Sequence, residues 1–402
     1  MHAAHRDDPG SREPVYLDHN ATTPVDPRVL EAMLPWLGPR HGNPSSIHRF
    51  GQAARDAVEA AREEVAALLG GRPPEVVLTA SGTEANNAVV LGLAERAGYR
   101  GRLVISALEH PSVRAAAARV EAAGVEVVRV RPRPDGVVDP EELLAAVTPG
   151  TLLVALMLAN NEVGTLQPVA EVAAACRERG VPVLTDAVQA VGKVPVDAGA
   201  LGVDFLVLGG HKFHGPPGTA ALWVRTGLDL PPLLVGGSQE RRRRASTENV
   251  PGAVGLGRAC ALAAAELPER RTHLAALRDR LEQGATAIPG AKVHCAASPR
   301  LPNTSHLAFA GVEGEALLIR LDLAGFAVST GSACASGAVE PSPVLTALGL
   351  PRREALSSVR VSFGITNRVE EVEWFLEALE REVAELRRLV PAAAVEPGAV
   401  EA

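Results

Sequence analysis

The sequence predicts an α/β protein in which a mainly parallel sheet is covered on both faces and followed by a smaller α+β unit. Three observations carry this. Seven short runs rich in Val, Leu and Ile, "EVVLTA", "RLVIS", "VEVVRV", "TLLVALMLAN", "VPVLTDA", "DFLVLGG" and "AALWV", recur with helical patterns between them. Near-continuous apolar strands alternating with helices read as parallel strands buried on both faces. The intervening segments open on helix-start signals: Ser45 and Ser46 before a pattern that runs to Leu69 and stops at Gly70–Gly71, and Asp139-Pro140-Glu141-Glu142 with proline at the first helical position. After about Pro251 the texture changes to a long alanine-rich helical stretch, with a break expected near Pro268, reaching Gly284 and then Pro289. Shorter strands follow ("KVHC", "TSHLAFA", "FAVST", "SVRVSF"), then a charged helix from Glu370 to Arg388.

Composition narrows the function. The 402 residues are 47% apolar and 22% charged, which suits a globular protein with a sizeable core, and a net charge of −7 gives no basic footprint for nucleic acid. The run Arg241 to Arg244 is the exception and reads as a solvated loop that could contact an acidic partner. The opening "MHAAHRDDPGSREP" has no apolar stretch, so neither a secretory signal nor an anchor is expected, and no window reaches the roughly 20 apolar residues of a spanning helix. Four widely spaced cysteines, Cys176, Cys260, Cys295 and Cys334, fit reduced thiols and a cytoplasmic location.

Ligands of open parallel sheets sit beyond the carboxyl ends of the strands, which directs attention to the loops there. No G-x-G-x-x-G follows a strand, and Ala187 stands where a P-loop before Gly192-Lys193 needs glycine. His211 and His214 flank a lysine with no carboxylate nearby, so no metal site is expected. The strand "EVVLTA" ends in Ser81-Gly82-Thr83-Glu84 at a helix start, either an ordinary cap or a cradle for an anion such as phosphate. Asp186 ends another strand with Gln189 three residues on, and His211-Lys212 follows the next. A buried carboxylate and a buried lysine each require a partner or an altered charge state. Together beside a phosphate-like nest they suggest pyridoxal 5'-phosphate (PLP): the lysine takes the aldehyde, the aspartate keeps the ring nitrogen protonated and the helix start takes the phosphate.

The motifs "YLDHNATTPVDPRV", "HGNPSSIH", "SGTEANN", "EHPSV", "ANNEVGTLQP", "TDAVQ", "GGHKFHGPPG", "RRRRASTENVPG" and "STGSACASGAVEPSPVLTALGL" stand in an order that resembles cysteine desulfurases of the NifS/IscS-like type, from about Val15 to Leu389. These are PLP-dependent, class V aminotransferase-like enzymes. The resemblance implies a fold-type I transferase with a seven-stranded sheet in a large domain at 18–262. It puts residues 1–17 and 263–402 in a small domain that carries a mobile catalytic loop at 329–350. It implies that Lys212 is the Schiff-base lysine and the base for the substrate Cα proton, that His110 stacks on the ring and relays protons, that Asp186 pairs with the ring nitrogen and that Gln189 bonds the phenolic oxygen. The phosphate falls to Ser81, Gly82, Thr83 and His211, with Thr247 reaching in from the other subunit of a homodimer. Arg360 grips the substrate carboxylate with Asn161 nearby. Cys334 is the nucleophile that takes sulfur from L-cysteine, leaving L-alanine, and hands it to an acceptor such as an iron–sulfur scaffold or a tRNA-thiolation relay. Two departures from the family pattern stand out, Gly209 where serine is common and Ser246 where glycine is usual. Selenocysteine lyase or cysteine lyase activity is the alternative within the same chemistry, and a non-catalytic sulfur carrier the alternative from another class.

Overall fold

The computed structural model describes residues 13–330 and 340–389. The first strand, β1 (Val15–Tyr16), lies apart from the central sheet, which is built from β2 (Val76–Thr79), β3 (Arg102–Ser106), β4 (Glu126–Val130), β5 (Thr151–Ala155), β6 (Val183–Asp186), β7 (Phe205–Gly209) and β8 (Ala220–Val224). Each of the seven apolar runs supplies one strand. Their order is β2-β8-β7-β6-β5-β3-β4, and β8 alone runs against the others, antiparallel to both β2 and β7. The carboxyl ends of the other six therefore open on one edge of the sheet.

Both faces are covered, as the continuous apolar runs require. Leu206 and Leu208 of β7 join one core with the helix Val169–Glu178, while Phe205 and Val207 join the other against the helices Gly82–Arg96 and Pro111–Ala122. Alternate side chains leave a strand on opposite sides, so every residue of such a strand must be apolar.

A second core forms around β9 (Ala291–Val293), β10 (Thr304–Phe309) and β12 (Ser358–Ser362), an antiparallel sheet of order β12-β10-β9. β11 (Phe326–Ala327) pairs in parallel with β1, which brings Val15 and Leu17 into this second core beside Phe309, Phe363 and Phe375.

The expected break at Pro268 does not occur. One helix runs from Val250 to Ala285, its first half in the central core through Leu256 and Cys260 and its second half in the other through Leu274 and Leu281. Pro268 and Ala264, whose carbonyl loses its partner, both lie on the solvent face, where water can replace the missing bond. This helix is long and apolar enough to cross a bilayer by length and composition, yet its apolar side chains are committed to the two cores. A second expectation also shifts: the helix thought to start after Ser46 begins at Arg49, with His48 as its cap. Asp139 caps the helix Pro140–Ala145 as expected, accepting from Glu141 N at 2.8 Å.

Candidate functional site

The carboxyl edge of the sheet gathers the residues that sequence singled out. Asp186 closes β6 and is 5% exposed. Its Oδ2 accepts from Asn86 Nδ2 at 2.7 Å and its Oδ1 from Val188 N at 3.0 Å. Both donors are neutral, and among the described residues no salt bridge to Asp186 exists. A buried carboxylate served only by neutral donors has room for a cationic N–H facing it.

Asn86 links this carboxylate to His110. Its Nδ2 also donates to Ser112 Oγ at 3.0 Å, and Ser112 Oγ lies 2.8 Å from His110 Nδ1. His110 caps the helix Pro111–Ala122, its Nδ1 accepting from Ser112 N at 3.2 Å. An accepting Nδ1 assigns the proton of the neutral ring to Nε2. Burial and the neighbouring Lys212 and Arg114 lower the His110 pKa, and Asp186 works against them. The cap role and a role in the cleft thus use different nitrogens of one ring. Beneath it, Glu109 accepts from Met157 N at 2.6 Å through Oε1, has no partner for Oε2, and is pushed by burial up to about 8.

Lys212 ends a short turn, Gly210–Lys212, that leaves β7. Its Nζ donates to Asn20 O at 2.7 Å and Ala21 O at 2.6 Å. Burial first, then the Arg360 guanidinium, bring its pKa down to about 8 against the opposing pull of Asp18 and Asp186. An amine so placed carries a substantial neutral fraction near physiological pH, as a nucleophile or base requires.

The helix Gly82–Arg96 starts under Ser81, whose hydroxyl accepts from Glu84 N at 3.1 Å. That leaves the N–H groups of Gly82 and Thr83 without an acceptor among the described residues. A Cβ on Gly82 would come within 2.9 Å of Val188 Cγ2, so the tight approach of this turn to the loop after β6 needs glycine. His211 Nδ1 lies 3.1 Å from Thr22 Oγ1, and the neighbouring His214 turns away to Pro24 O at 3.0 Å. Burial and the adjacent Lys212 and Lys193 lower His211 to about 4, which leaves a neutral ring. Free N–H groups at a helix start and the exposed Thr83 hydroxyl are the donors that a phosphate takes.

Arg360, on β12, comes in from the second core. Its Nη2 pairs with Asp18 Oδ1 at 2.6 Å, Nη1 donates to the backbone oxygen of Asn161 at 2.9 Å, and Nε has no acceptor. Asn161 thus meets Arg360 through its main chain. Thr247 is exposed and lines a cavity of about 200 Å³ with Thr79, Ala80 and Arg244. Gln189 sits between Asn20 and Lys193, donating to Asn20 O at 2.9 Å and accepting from Lys193 at 2.8 Å. Cys334 lies outside the described residues.

Sequence reasoning did not assign Asp18, Asn20, Asn86 or Lys193. The first three lie in motifs quoted above, "YLDHNATTP" and "SGTEANN", and motif membership was the available signal. The arginine run stays at the surface, with Arg241 and Arg242 exposed, and is tied down by contacts: Arg244 pairs with Glu84 at 2.9 Å, Arg241 with Glu59 at 3.7 Å, and Arg243 donates to Pro74 O at 3.3 Å.

The two departures behave differently. A side chain on Gly209 would meet Val188 and His211 at 3.4 Å or beyond, so a serine fits there. Ser246, by contrast, has a φ of 118°, a conformation that glycine adopts far more readily. Ser246→Gly is expected to stabilise the protein by about 1 kcal/mol, read as a higher urea midpoint at unchanged m-value.

The arrangement of a phosphate-ready helix start, a buried aspartate and a lysine of lowered pKa at the edge of this sheet defines a PLP-dependent transferase fold. The class V aminotransferase family model matches residues 15–375. A cysteine desulfurase IscS from Methanosarcina thermophila is 44% identical over 378 residues, 94% of this chain and 94% of the relative. Among solved structures, a NifS-like protein superposes with a TM-score of 0.87 at 37% identity, covering 92% of this chain and all of that one. A structure described as SspA in complex with cysteine gives a TM-score of 0.78 at 32% identity over 87% of this chain and 98% of that one. The chain belongs to the class V aminotransferase family.

Proposed function

We propose that the protein is a PLP-dependent cysteine desulfurase that converts L-cysteine to L-alanine and leaves sulfur on Cys334 as a persulfide. The observation that carries the cofactor is Asp186, a buried carboxylate with neutral donors only, on the loop edge that also bears the Lys212 amine. The relatives named cysteine desulfurase and the neighbour described with cysteine supply the reaction and the substrate. Bound PLP supplies an aldehyde that takes up an amine and a protonated ring that draws electrons from the bond being broken.

The chain's own residues do the rest in this reading. With PLP bound, Lys212 would hold it by its aldehyde, and its amine would move the substrate Cα proton, for which a pKa of about 8 is well matched. Asp186, fixed by Asn86 and Val188 N, keeps the ring nitrogen protonated. His110 would lie against the ring with Nε2 available to proton transfer, and Gln189 would bond the phenolic oxygen. Ser81, Gly82, Thr83 and His211 hold the phosphate. Arg360 binds the substrate carboxylate with Asn161 beside it, a task for a planar guanidinium already steadied by Asp18. In the sulfur step the Cys334 thiol and L-cysteine give the persulfide and L-alanine: the C–S bond breaks, an S–S bond forms, and the thiol proton ends on the alanine methyl.

The division into a large domain at 18–262 and a small domain of 1–17 and 263–402 belongs to the same reading, and so does a catalytic loop at 329–350. Of that loop, residues 331–339 lie outside the described residues, while Pro343–Ala347 forms a helix packed on the central core through Val344 and Leu345. A homodimer in which Thr247 completes the partner's phosphate site belongs to the reading as well. The exposed Ile47, Phe50 and Val235 give apolar surface for such a contact. The free thiols of Cys176, Cys260 and Cys295 suit the cytoplasm, and the sulfur leaves for an acceptor protein, an iron–sulfur scaffold or a tRNA-thiolation relay.

The test compares alanine formation from cysteine and from selenocysteine in wild type and Cys334→Ser. Loss on cysteine with retention on selenocysteine is expected. A variant that keeps full activity on cysteine would overturn the persulfide step, and purified protein without yellow, borohydride-sensitive absorbance would point instead to a non-catalytic carrier.

A further inference from the structure

We propose that Lys193 is a positioning residue that acts through Gln189: by donating to the Gln189 amide oxygen it fixes, together with Asn20 O, which end of that amide faces the cofactor. The inference rests on the placement of Gln189 at the phenolic oxygen given above. Lys193 is 4% exposed, and its Nζ donates to Gln189 Oε1 at 2.8 Å and Asn20 Oδ1 at 3.1 Å. Among the described residues it has no carboxylate partner. Burial and the nearby Lys212 and Arg360 hold its pKa well below that of an ordinary lysine. A buried amine that serves only neutral amide oxygens adds little as an ion pair.

What it adds is direction. The oxygen and nitrogen of an amide are nearly alike in shape, and only the hydrogen-bond network decides which end points where. Charged or neutral, the amine has at least two N–H donors, and both of its contacts are given to the oxygens of the neighbouring amides. For Gln189 this sends Nε2 the other way, one N–H to Asn20 O at 2.9 Å and the second left for the phenolic oxygen. For Asn20 it sends Nδ2 to Thr304 Oγ1 at 2.8 Å and Asn161 O at 3.1 Å, while Oδ1 also takes Asn303 Nδ2 at 3.1 Å. The Asn20 backbone N–H is held by Ser362 Oγ at 2.9 Å, so the Asn20 carbonyl that receives both Gln189 and Lys212 is fixed on every side. Without Lys193 the orientation of the Gln189 amide rests on its single bond to Asn20 O, and a turned amide would set oxygen against oxygen, a repulsive pairing.

A cofactor analogue lacking only the phenolic hydroxyl, 3-deoxypyridoxal phosphate, separates this from a general loosening of the fold. Cofactor-free wild type and Lys193→Met are titrated with PLP and with the analogue, and Kd is read from absorbance. We expect K193M to weaken PLP binding about tenfold, the equivalent of ~1.4 kcal/mol, and to change analogue binding by less than about twofold. Equal loss for both ligands, or loss for neither, overturns the inference. Wild type that holds both ligands equally well removes the Gln189 contact itself, and the inference with it, while wild type that binds neither refutes the cofactor reading. Lys193→Gln, which suits the same polar surroundings but can present a donor or an acceptor, carries the same comparison if K193M does not fold.

Discussion

Lys212→Ala is expected to lower desulfuration by at least ~10³-fold while leaving the protein folded, because it removes both the amine that holds the cofactor and the base. Two independent readouts accompany the rate. Borohydride should attach the cofactor's mass to the peptide containing residue 212 in wild type and not in the variant. The stability difference should also depend on pH in a defined direction. The folded-state pKa of Lys212 is about 8 against an ordinary 10.5, so below pH 8 the amine is protonated in both states and the folded state bears the full penalty. Between pH 8 and 10.5 the unfolded chain holds more protons than the folded one, and that penalty fades. Lys212→Ala should therefore gain most over wild type near pH 7, and the gap should narrow as pH rises to 10.5. Urea midpoints of the two proteins freed of cofactor, at pH 7 and pH 10.5, check the sign, and a gap that widened would show that the amine is not desolvated as described. The Asn20 carbonyl keeps its bond from Gln189 at 2.9 Å, so the truncation leaves it satisfied.

The same site shows why some of it was legible in the sequence and some was not. The inner strands announced themselves because a strand buried on both faces has no polar position, as Phe205 to Leu208 illustrate, while the edge strand Glu126–Val130 keeps Glu126 and Arg129 exposed. Asp186, His211 and Lys212 were visible because a charged or basic residue directly after such a run must be explained. Asn86, Asn20 and Asp18 act by orienting other side chains, and an amide or carboxylate that does so has no spacing of its own to betray it. Lys193 was noticed only as a failed P-loop lysine, since nothing local says that it is buried. His48 displaced Ser46 as a helix cap because Gly51 packs against Ser46, where a Cβ would come within 2.4 Å of Ser46 O, and only the folded chain shows that contact. The arginine run is the instructive case. Four like charges in sequence read as a solvated patch, and Arg241 and Arg242 are exposed, but the residue before them, Glu240, is a buried anchor that ties the segment to the sheet.

That anchor gives the largest expected loss of stability. Glu240 and Arg62 have side chains 3% exposed and meet through two bonds, Nη1 to Oε2 at 2.6 Å and Nη2 to Oε1 at 2.9 Å. Oε2 also accepts from Leu78 N at 2.9 Å, beside the strand that leads to Ser81. Glu240→Ala strands a buried guanidinium whose remaining carboxylate contact is Glu59 at 3.2 Å, and leaves the Leu78 N–H without an acceptor. Removing one member of a buried pair costs about 3–5 kcal/mol, far more than an exposed pair would. The effect should reach the site, because the segment from Glu240 to Thr247 is moored to the helix start at Glu84 through Arg244. We therefore expect cofactor to dissociate faster from Glu240→Ala under conditions where the variant is still folded. The double variant Arg62→Met with Glu240→Ala removes the orphaned charge and should recover part of the loss, since a buried pair replaced as a whole is tolerated better than one that is halved. Urea unfolding of the four proteins closes the cycle. A Glu240→Ala loss below about 1 kcal/mol, or a double variant no more stable than that single one, would mean that the pair is not the anchor of this segment.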